Sequence, residues 1–407
     1  MPVPVPTRSI LRRAAAAMLC GALLLGAAVS VSAQTPPKKD DGFQTAAPYA
    51  ILIDADSGTV LFEKNADKLN PPASMSKLMT VELVLHTIKE GKLKLDDEMT
   101  ISENAWRRGG APSGGSAMFA ALHSKVSVDN LLHGVMIQSG NDACITLAEG
   151  IAGTELAFAD MMNKRAREIG LTQSHFANAT GLHDPEHNMT VRELAKLAQH
   201  VIKTYPDAYK IFSEREFTWN KVRQQNRNPL LAMGIGADGL KTGYTKEAGY
   251  GLVGSAVNNN LRLILVMNGL KTMKERADEA RKMLEWGFRA FESRPLFAQG
   301  ETVGEAKVFG GAKSRVPLVS NTPISLLVQR ASDQKLSAKV IYSGPVLAPV
   351  EKGQVIGTLK VSRGDNVVLE VPLQAGESVG GGKLHQRAFD AVGELVINVF
   401  RAGVDRL

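Results

Sequence analysis

The sequence predicts an α/β protein: a mixed sheet dominated by antiparallel pairing and flanked by helices, then a small all-β domain, then a C-terminal amphipathic helix. Three observations predict it. Short apolar runs flank turn sequences at Asp56-Ser57-Gly58 and at Asn258-Asn259-Asn260, which reads as hairpins rather than crossovers between parallel strands. Between those hairpins, apolar residues recur at three and four positions over long stretches, the period of a helix. Beyond about residue 293 that period vanishes, and Val- and Leu-rich runs separated by Gly and Pro replace it.

Length and composition agree. The chain has 407 residues, 44% hydrophobic and 22% charged, enough for two or three globular units with a sizeable core and too ordinary for a fibre or a disordered chain. Two Cys exclude a disulfide scaffold.

Residues 1–33 read as a secretory signal peptide. Arg8, Arg12 and Arg13 precede an apolar run over 14–31, and Val31-Ser32-Ala33 offers small residues for cleavage before polar sequence begins. The alternative is a retained anchor, because the run approaches spanning length. Removing these residues takes away three Arg and no acid, so the formal charge of +7 becomes +4. It also removes Cys20 and leaves Cys144 alone in an apolar stretch, where a buried inert thiol is expected. The mature chain is therefore expected to be exported, to be free of internal disulfides and to bind no nucleic acid.

Along the mature chain, 34–41 is a polar linker. Residues 50–54 and 59–62 form the first hairpin. Over 74–89, Leu78, Val81, Leu85 and Ile88 make a helical stripe that Gly91 stops; Met79, Leu83 and Val84 widen it, so this helix is buried on more than one side. Residues 127–203 read as mostly helical. The runs 250–257 and 261–267 form the second hairpin, and 272–291 is a charged amphipathic helix. The α/β region is placed at 43–293 and the all-β domain at 294–382. Over 384–407, Leu384, Phe389, Val392, Val396 and Phe400 fall on one helical stripe. A terminal helix of that kind either docks on the protein or lies in a membrane interface.

Chemistry is concentrated in three short motifs. In Ser74-Met75-Ser76-Lys77, preceded by Pro71 and Pro72, a helix start puts the Lys one turn from the Ser on the same face. A Ser hydroxyl needs an adjacent base to act as a nucleophile, and a Lys with a lowered pKa serves. Alone, the motif favours a capping Ser and a surface Lys, because Ser-x-x-Lys arises often by chance. Ser139-Gly140-Asn141 follows 65 residues later at a break between helical stretches, and Lys241-Thr242-Gly243 opens a strand 102 residues beyond that. Each alone reads as a plain turn or strand. In this order they form the set typical of penicillin-binding proteins and class A β-lactamases.

On these motifs the chain resembles the serine D-alanyl-D-alanine carboxypeptidases, the low-molecular-mass penicillin-binding proteins. Further matching stretches are Gln138-Ser139-Gly140-Asn141-Asp142-Ala143-Cys144, Asn226-Arg227-Asn228, Asp238-Gly239-Leu240-Lys241-Thr242-Gly243 and Trp286-Gly287-Phe288-Arg289. The resemblance implies a β-lactamase/DD-peptidase-like fold with a helical subdomain. It implies Ser74 as nucleophile on the terminal D-Ala-D-Ala bond of peptidoglycan stem peptides, Lys77 as its base and Ser139 as a proton relay. Asn141, Lys241, Thr242 and Gly243 would bind substrate, and the backbone N–H groups of Ser74 and Tyr244 would form an oxyanion hole. Family members often carry His where Tyr244 stands. Arg227 matches an Arg implicated in holding the terminal carboxylate, and Arg276 occupies a similar family position. β-Lactams would acylate Ser74 as substrate mimics. The C-terminal helix would meet the membrane surface, and no cofactor or metal is implied.

Other signals fail on context. Gly234-Ile235-Gly236-Ala237-Asp238-Gly239 fits a dinucleotide fingerprint, but a strand rather than a helix follows it. His183-Asp184-Pro185-Glu186-His187 suggests a metal until Pro185 is weighed, which makes it a loop. Alternative functions on the same motifs are a D,D-endopeptidase, a β-lactamase or a non-catalytic cell-wall scaffold. The Glu-x-x-Leu-Asn stretch of class A β-lactamases is missing between Ser139 and Lys241.

Overall fold

The computed structural model describes residues 43–330, 336–363 and 366–383. The expected signal peptide at 1–33, the linker at 34–41 and the amphipathic helix at 384–407 lie outside them. All elements below fall within the unit 45–407.

Strand β1 (Tyr49–Asp54) turns back into β2 (Val60–Lys64) as an antiparallel hairpin. The turn is closed by Asp54, whose carboxylate accepts the Ser57 N–H at 2.9 Å and its hydroxyl at 2.5 Å. A single 3₁₀ turn (Ala73–Ser76) leads into α1 (Lys77–Lys89), whose Leu78, Met79, Val81, Leu83, Val84 and Leu85 are all buried. Burial on several faces is what its wide apolar surface predicts.

The helical subdomain comprises α2 (Glu103–Gly109), α3 (Val128–His133), α4 (Asn141–Ala152), α5 (Glu155–Glu168) and α6 (Val191–Thr204). A two-stranded ladder of β3 (Glu98–Thr100) and β4 (Lys125–Ser127) accompanies it. Side-chain caps start four of these helices, from Ser102, Ser127, Thr154 and Thr190. Besides a short break at 153–154, the expected helical run over 127–203 has two longer interruptions. A wide π-type turn (Gly134–Gln138) ends at Ser139 in the left-handed region, and 171–190 is irregular around Gly181 and Pro185. Both interruptions carry parts of the site.

Hairpin β5 (Glu216–Trp219) and β6 (Val222–Gln225) precedes β7 (Ala237–Thr245), β8 (Gly249–Asn258) and β9 (Leu261–Leu270). The main sheet has the order β2-β1-β9-β8-β7, and every pair in it is antiparallel. Strand β7 is therefore an edge strand, with one row of backbone groups left unpaired. Helix α7 (Met273–Ala290) packs on this sheet through Ala280, Met283, Leu284 and Trp286. Gly287 permits the contact, because a Cβ there would stand 2.6 Å from Leu263 and 2.8 Å from Leu52.

Helix α7 passes directly into β10 (Phe291–Phe297). The all-β region continues with β11 (Thr302–Phe309), β12 (Arg315–Val319), β13 (Ile324–Gln329), β14 (Leu336–Tyr342), β15 (Val346–Leu347), β16 (Val355–Arg363) and β17 (Asn366–Ala375). Its six-stranded sheet runs β14-β16-β17-β12-β11-β15, with β10 and β13 paired separately. Val308, Val316, Leu318, Leu326, Leu359 and Leu373 form a core of its own. The fold is thus a helix-flanked antiparallel sheet followed by an all-β domain.

Candidate active site

Ser74 lies within the 3₁₀ turn and Lys77 at the first position of α1. The preceding Ala73 is held at φ +48, a left-handed conformation that a side chain resists. The surroundings over-determine it. Asn268 on β9 donates to Asn70 Oδ1 at 2.6 Å and to the Pro71 carbonyl at 2.9 Å, fixing the approach to the turn. Gly181, at φ +73, passes so close that a Cβ would lie 2.2 Å from the Ala73 carbonyl oxygen.

Lys77 is fully buried, and its amine makes three contacts: Ser74 Oγ at 2.9 Å, Asn141 Oδ1 at 2.8 Å and the Thr180 carbonyl at 2.5 Å. Burial, with the Arg227 charge in support, brings its pKa down to about 8. No carboxylate bonds to it among the described residues. Spacing within one turn brings Ser74 and Lys77 together; only the packing of α4 and of 171–190 supplies Asn141 and Thr180.

Ser139 sits at φ +67 between the π-type turn and α4. Its hydroxyl is buried, with no hydrogen-bond partner among the described residues. Gly140 is required beside it, because a Cβ would meet Asp142 Oδ1 at 2.9 Å and the Met118 nitrogen at 3.0 Å. Asp142, fully buried, accepts from the backbone N–H of Met118 at 2.9 Å, Ala120 at 3.3 Å and Ala143 at 3.0 Å. That ties loop 115–120 to the start of α4. The same loop receives the Asn141 N–H on the Ser116 carbonyl at 2.8 Å, and Ser116 Oγ accepts from Arg227 Nη1 at 2.5 Å.

Lys241, Thr242 and Gly243 lie on edge strand β7, all buried. The strand runs against the turn that carries Ser74: a Cβ on Gly243 would stand 3.0 Å from the Pro72 carbonyl and 3.2 Å from the Met75 nitrogen. Burial first, then the charges of Lys77 and Arg227, hold Lys241 well below the usual lysine range. Tyr244 is 53% exposed and stacks on Tyr250. Arg276, from the first turn of α7, is buried, with its Nε unpartnered among the described residues. Lys77, Lys241, Arg227 and Arg276 form a basic group within electrostatic reach of one another, and none of them joins an ion pair among the described residues. Such a group lacks an anion.

Thr180, Ser116, Asp142 and Tyr250 belong to this arrangement but carry no motif that singles them out in sequence, apart from Asp142, which adjoins Asn141. Cys144 is buried on α4. The 183–187 segment is a loop in which His187 packs edge-on against Phe176 at 5.6 Å. Among the described residues no three His, Cys, Asp or Glu side chains cluster to hold a metal. The glycine-rich 234–239 segment leads into β7, and its Asp238 pairs with Arg262 at 2.8 Å.

Known proteins share this arrangement of domains. One family model, described as D-alanyl-D-alanine carboxypeptidase, matches residues 31–272, and another, described as the C-terminal domain of penicillin-binding protein 5, matches 291–380. D-alanyl-D-alanine carboxypeptidase DacC of Escherichia coli (strain K12) is 41% identical over 345 residues, covering 84% of this chain and 86% of that protein. DacA of Haemophilus influenzae is 38% identical over 372 residues, covering 89% and 93%. Among solved structures, penicillin-binding protein 5 from Haemophilus influenzae aligns with a TM-score of 0.75 at 38% identity, over 83% of this chain and 98% of that one. Penicillin-binding protein D2 from Listeria monocytogenes, in its ampicillin-bound form, aligns with a TM-score of 0.53 at 30% identity, over 60% and 99%.

Proposed function

Because the chain belongs to the D-alanyl-D-alanine carboxypeptidase family and is a serine-type carboxypeptidase, we propose that its Ser74 carries the acyl-enzyme formed from peptidoglycan stem pentapeptides. The contacts of Lys77 support this division of roles most directly. A neutral amine has two N–H groups and one lone pair. Its N–H groups are taken by the Asn141 side-chain oxygen and the Thr180 carbonyl, so the lone pair is left for the hydroxyl of Ser74.

Ser74 Oγ attacks the carbonyl carbon between the two D-alanines while its proton passes to Lys77. Backbone N–H groups of Ser74 and Tyr244 receive the developing oxyanion. The C–N bond then breaks, and the departing D-alanine nitrogen takes the proton held by Lys77, relayed through Ser139, whose buried hydroxyl has no partner among the described residues, and Lys77 returns to its neutral form. Water, giving its proton to Lys77, attacks the ester; the Ser74–acyl bond breaks and Ser74 recovers its hydrogen.

Binding draws on the edge and the charge. The unpaired side of β7 offers backbone groups to an extended peptide. Asn141 orients the substrate amide, and Lys241, Thr242 and Gly243 line its path. Arg227, with Arg276 as a second guanidinium, meets the terminal carboxylate, the anion the cationic group lacks. Arrival of that carboxylate favours the charged form of Lys241. β-Lactams acylate Ser74 in the same way, in line with the ampicillin-bound Listeria relative.

Exported location rests on the 1–33 signal pattern, and attachment to the periplasmic face of the inner membrane on the 384–407 stripe. Deleting 384–407 and following fractionation tests the attachment; unchanged membrane association refutes it. For the chemistry, residues 34–407 and a Ser74→Ala variant are labelled with fluorescent penicillin and assayed for D-alanine release from a stem pentapeptide. Absence of Ser74-dependent labelling sinks the mechanism. Labelling with cross-link cleavage but no D-alanine release assigns an endopeptidase.

A further inference from the structure

Tyr250 joins two parts of the site that no sequence motif connects. It opens β8 directly opposite Tyr244 on β7, and their rings stack with centroids 4.2 Å apart and 28° between planes. The same ring carries the Arg276 guanidinium, whose Cζ lies 5.7 Å from the Tyr250 centroid. Arg276 is 8% exposed, joins no ion pair among the described residues, and has a buried Nε without a partner.

A guanidinium removed from water without an anion is costly unless something compensates its charge. The usual compensation is a carboxylate, which neutralises the charge and occupies the N–H fork. An aromatic face does something different. It attracts the cation through the ring quadrupole and leaves the in-plane N–H donors unused. Stacking on Tyr244 in turn limits the freedom of the Tyr250 ring.

We propose that Tyr250 is a positioning residue for substrate recognition: its ring, braced by Tyr244, holds the Arg276 guanidinium charged and unneutralised, ready for the substrate's terminal carboxylate beside Arg227. This rests on the assignment of carboxylate binding to the two arginines. It accounts for a half-exposed aromatic at 244, which serves as the outer layer of the stack as well as through its backbone. It also predicts that Tyr250, on β8 and outside the helix that carries Arg276, affects selectivity for a free C-terminus.

The test compares two substrates on the mature protein: a D-Ala-D-Ala pentapeptide with a free C-terminal carboxylate, and the same peptide as its C-terminal amide. The readout is the ratio of their kcat/KM values. Tyr250→Leu is expected to lower that ratio roughly tenfold, the size of one partly desolvated cation–π contact, through KM for the free acid. Tyr250→Phe keeps the ring and retains the ratio. A merely structural role moves both peptides alike; equal losses on both, or an unchanged ratio in Tyr250→Leu, overturn the proposal. Should Tyr250→Leu fail to fold, Arg276→Gln must lower the ratio at least as far, and an unchanged ratio there also overturns it. Arg227→Ala separates the two levels. If the wild type prefers the free acid and Arg227→Ala abolishes the preference while the Tyr250 variants do not alter it, the positioning role alone fails. If the wild type shows no preference, carboxylate recognition itself fails and the positioning role with it.

Discussion

The carboxylate of Asp142 grips the backbone N–H groups on both sides of Phe119, and Phe119 is held between them at φ +62. A left-handed Phe is strained, and its ring is left 42% exposed. What the strain secures is position. The loop so fixed carries Ser116, which contacts both Asn141 and Arg227. Asp142 is thus the link between the Ser139 turn and Arg227.

Replacing Asp142 by Ala removes the acceptor from three buried N–H groups, those of Met118, Ala120 and Ala143. Each such loss costs about 1–3 kcal/mol, so urea unfolding should show a drop of that order or somewhat more. Penicillin acylation should slow as well, because Asn141 and Arg227 lose their common support. Asp142→Asn retains one acceptor oxygen and should fall between. Wild-type stability in Asp142→Ala would remove the clamp from the account.

Acylation should depend on pH through Lys77. Its ammonium cannot accept a proton, and its folded pKa is about 8, lowered chiefly by burial. Acylation rate should therefore climb with pH up to about 8 and level off above it. An inflection near the ordinary lysine value would contradict Lys77 as the base. Lys77→Arg, which stays charged, should lose about 10²–10⁴-fold in acylation rate. The same shift bears on stability. Between about 8 and the unfolded value of 10.5 the unfolded chain holds the extra proton, so this group makes stability rise with pH across that window.

Gly181 should not accept a side chain. Its φ is +73, and a Cβ would lie 2.2 Å from the Ala73 oxygen and 2.5 Å from Ser76 Oγ. Gly181→Ala should cost about 2–5 kcal/mol from left-handed strain plus overpacking, seen in thermal or urea unfolding. Because Thr180 adjoins it, residual folded protein should also acylate slowly. Normal acylation and stability together would show that 171–190 does not brace the nucleophile turn.

Cys144 should be silent in the folded protein. It is buried, and burial pushes its thiol up to about 12. A thiol reagent applied to residues 34–407 at neutral pH should find no reactive group in the native state and one after denaturation. Rapid native labelling, with loss of D-alanine release, would place Cys144 in an open part of the site.

Several features were legible in the sequence because the forces behind them are local. One helical turn separates Ser74 from Lys77, so their meeting follows from helix geometry alone. Both hairpins follow from their turn residues, and the burial of α1 from its apolar pattern. The order of the three motifs identified the chemistry through resemblance, without locating the motifs in space. The expected helical stretch over 127–203 illustrates the limit. Periodicity reports what a face can bury, and says nothing of a Ser held at φ +67 or of a carbonyl at Thr180 aimed at a lysine.

By itself, then, the sequence determined the helix-flanked antiparallel sheet, the change to an all-β region, and the Ser74–Lys77 pair. Tertiary structure decided the rest of the site: Thr180 beneath Lys77, Ser116 against Arg227, Asp142 around Phe119, and Tyr250 between Tyr244 and Arg276. The physical reason is separation along the chain. Lys77 meets Thr180 across 103 residues and Arg227 meets Ser116 across 111, so such partners are chosen by how helices and sheet pack. Each of these residues is polar or aromatic in an ordinary local setting, and acquires its role only when burial removes water and leaves one partner in reach.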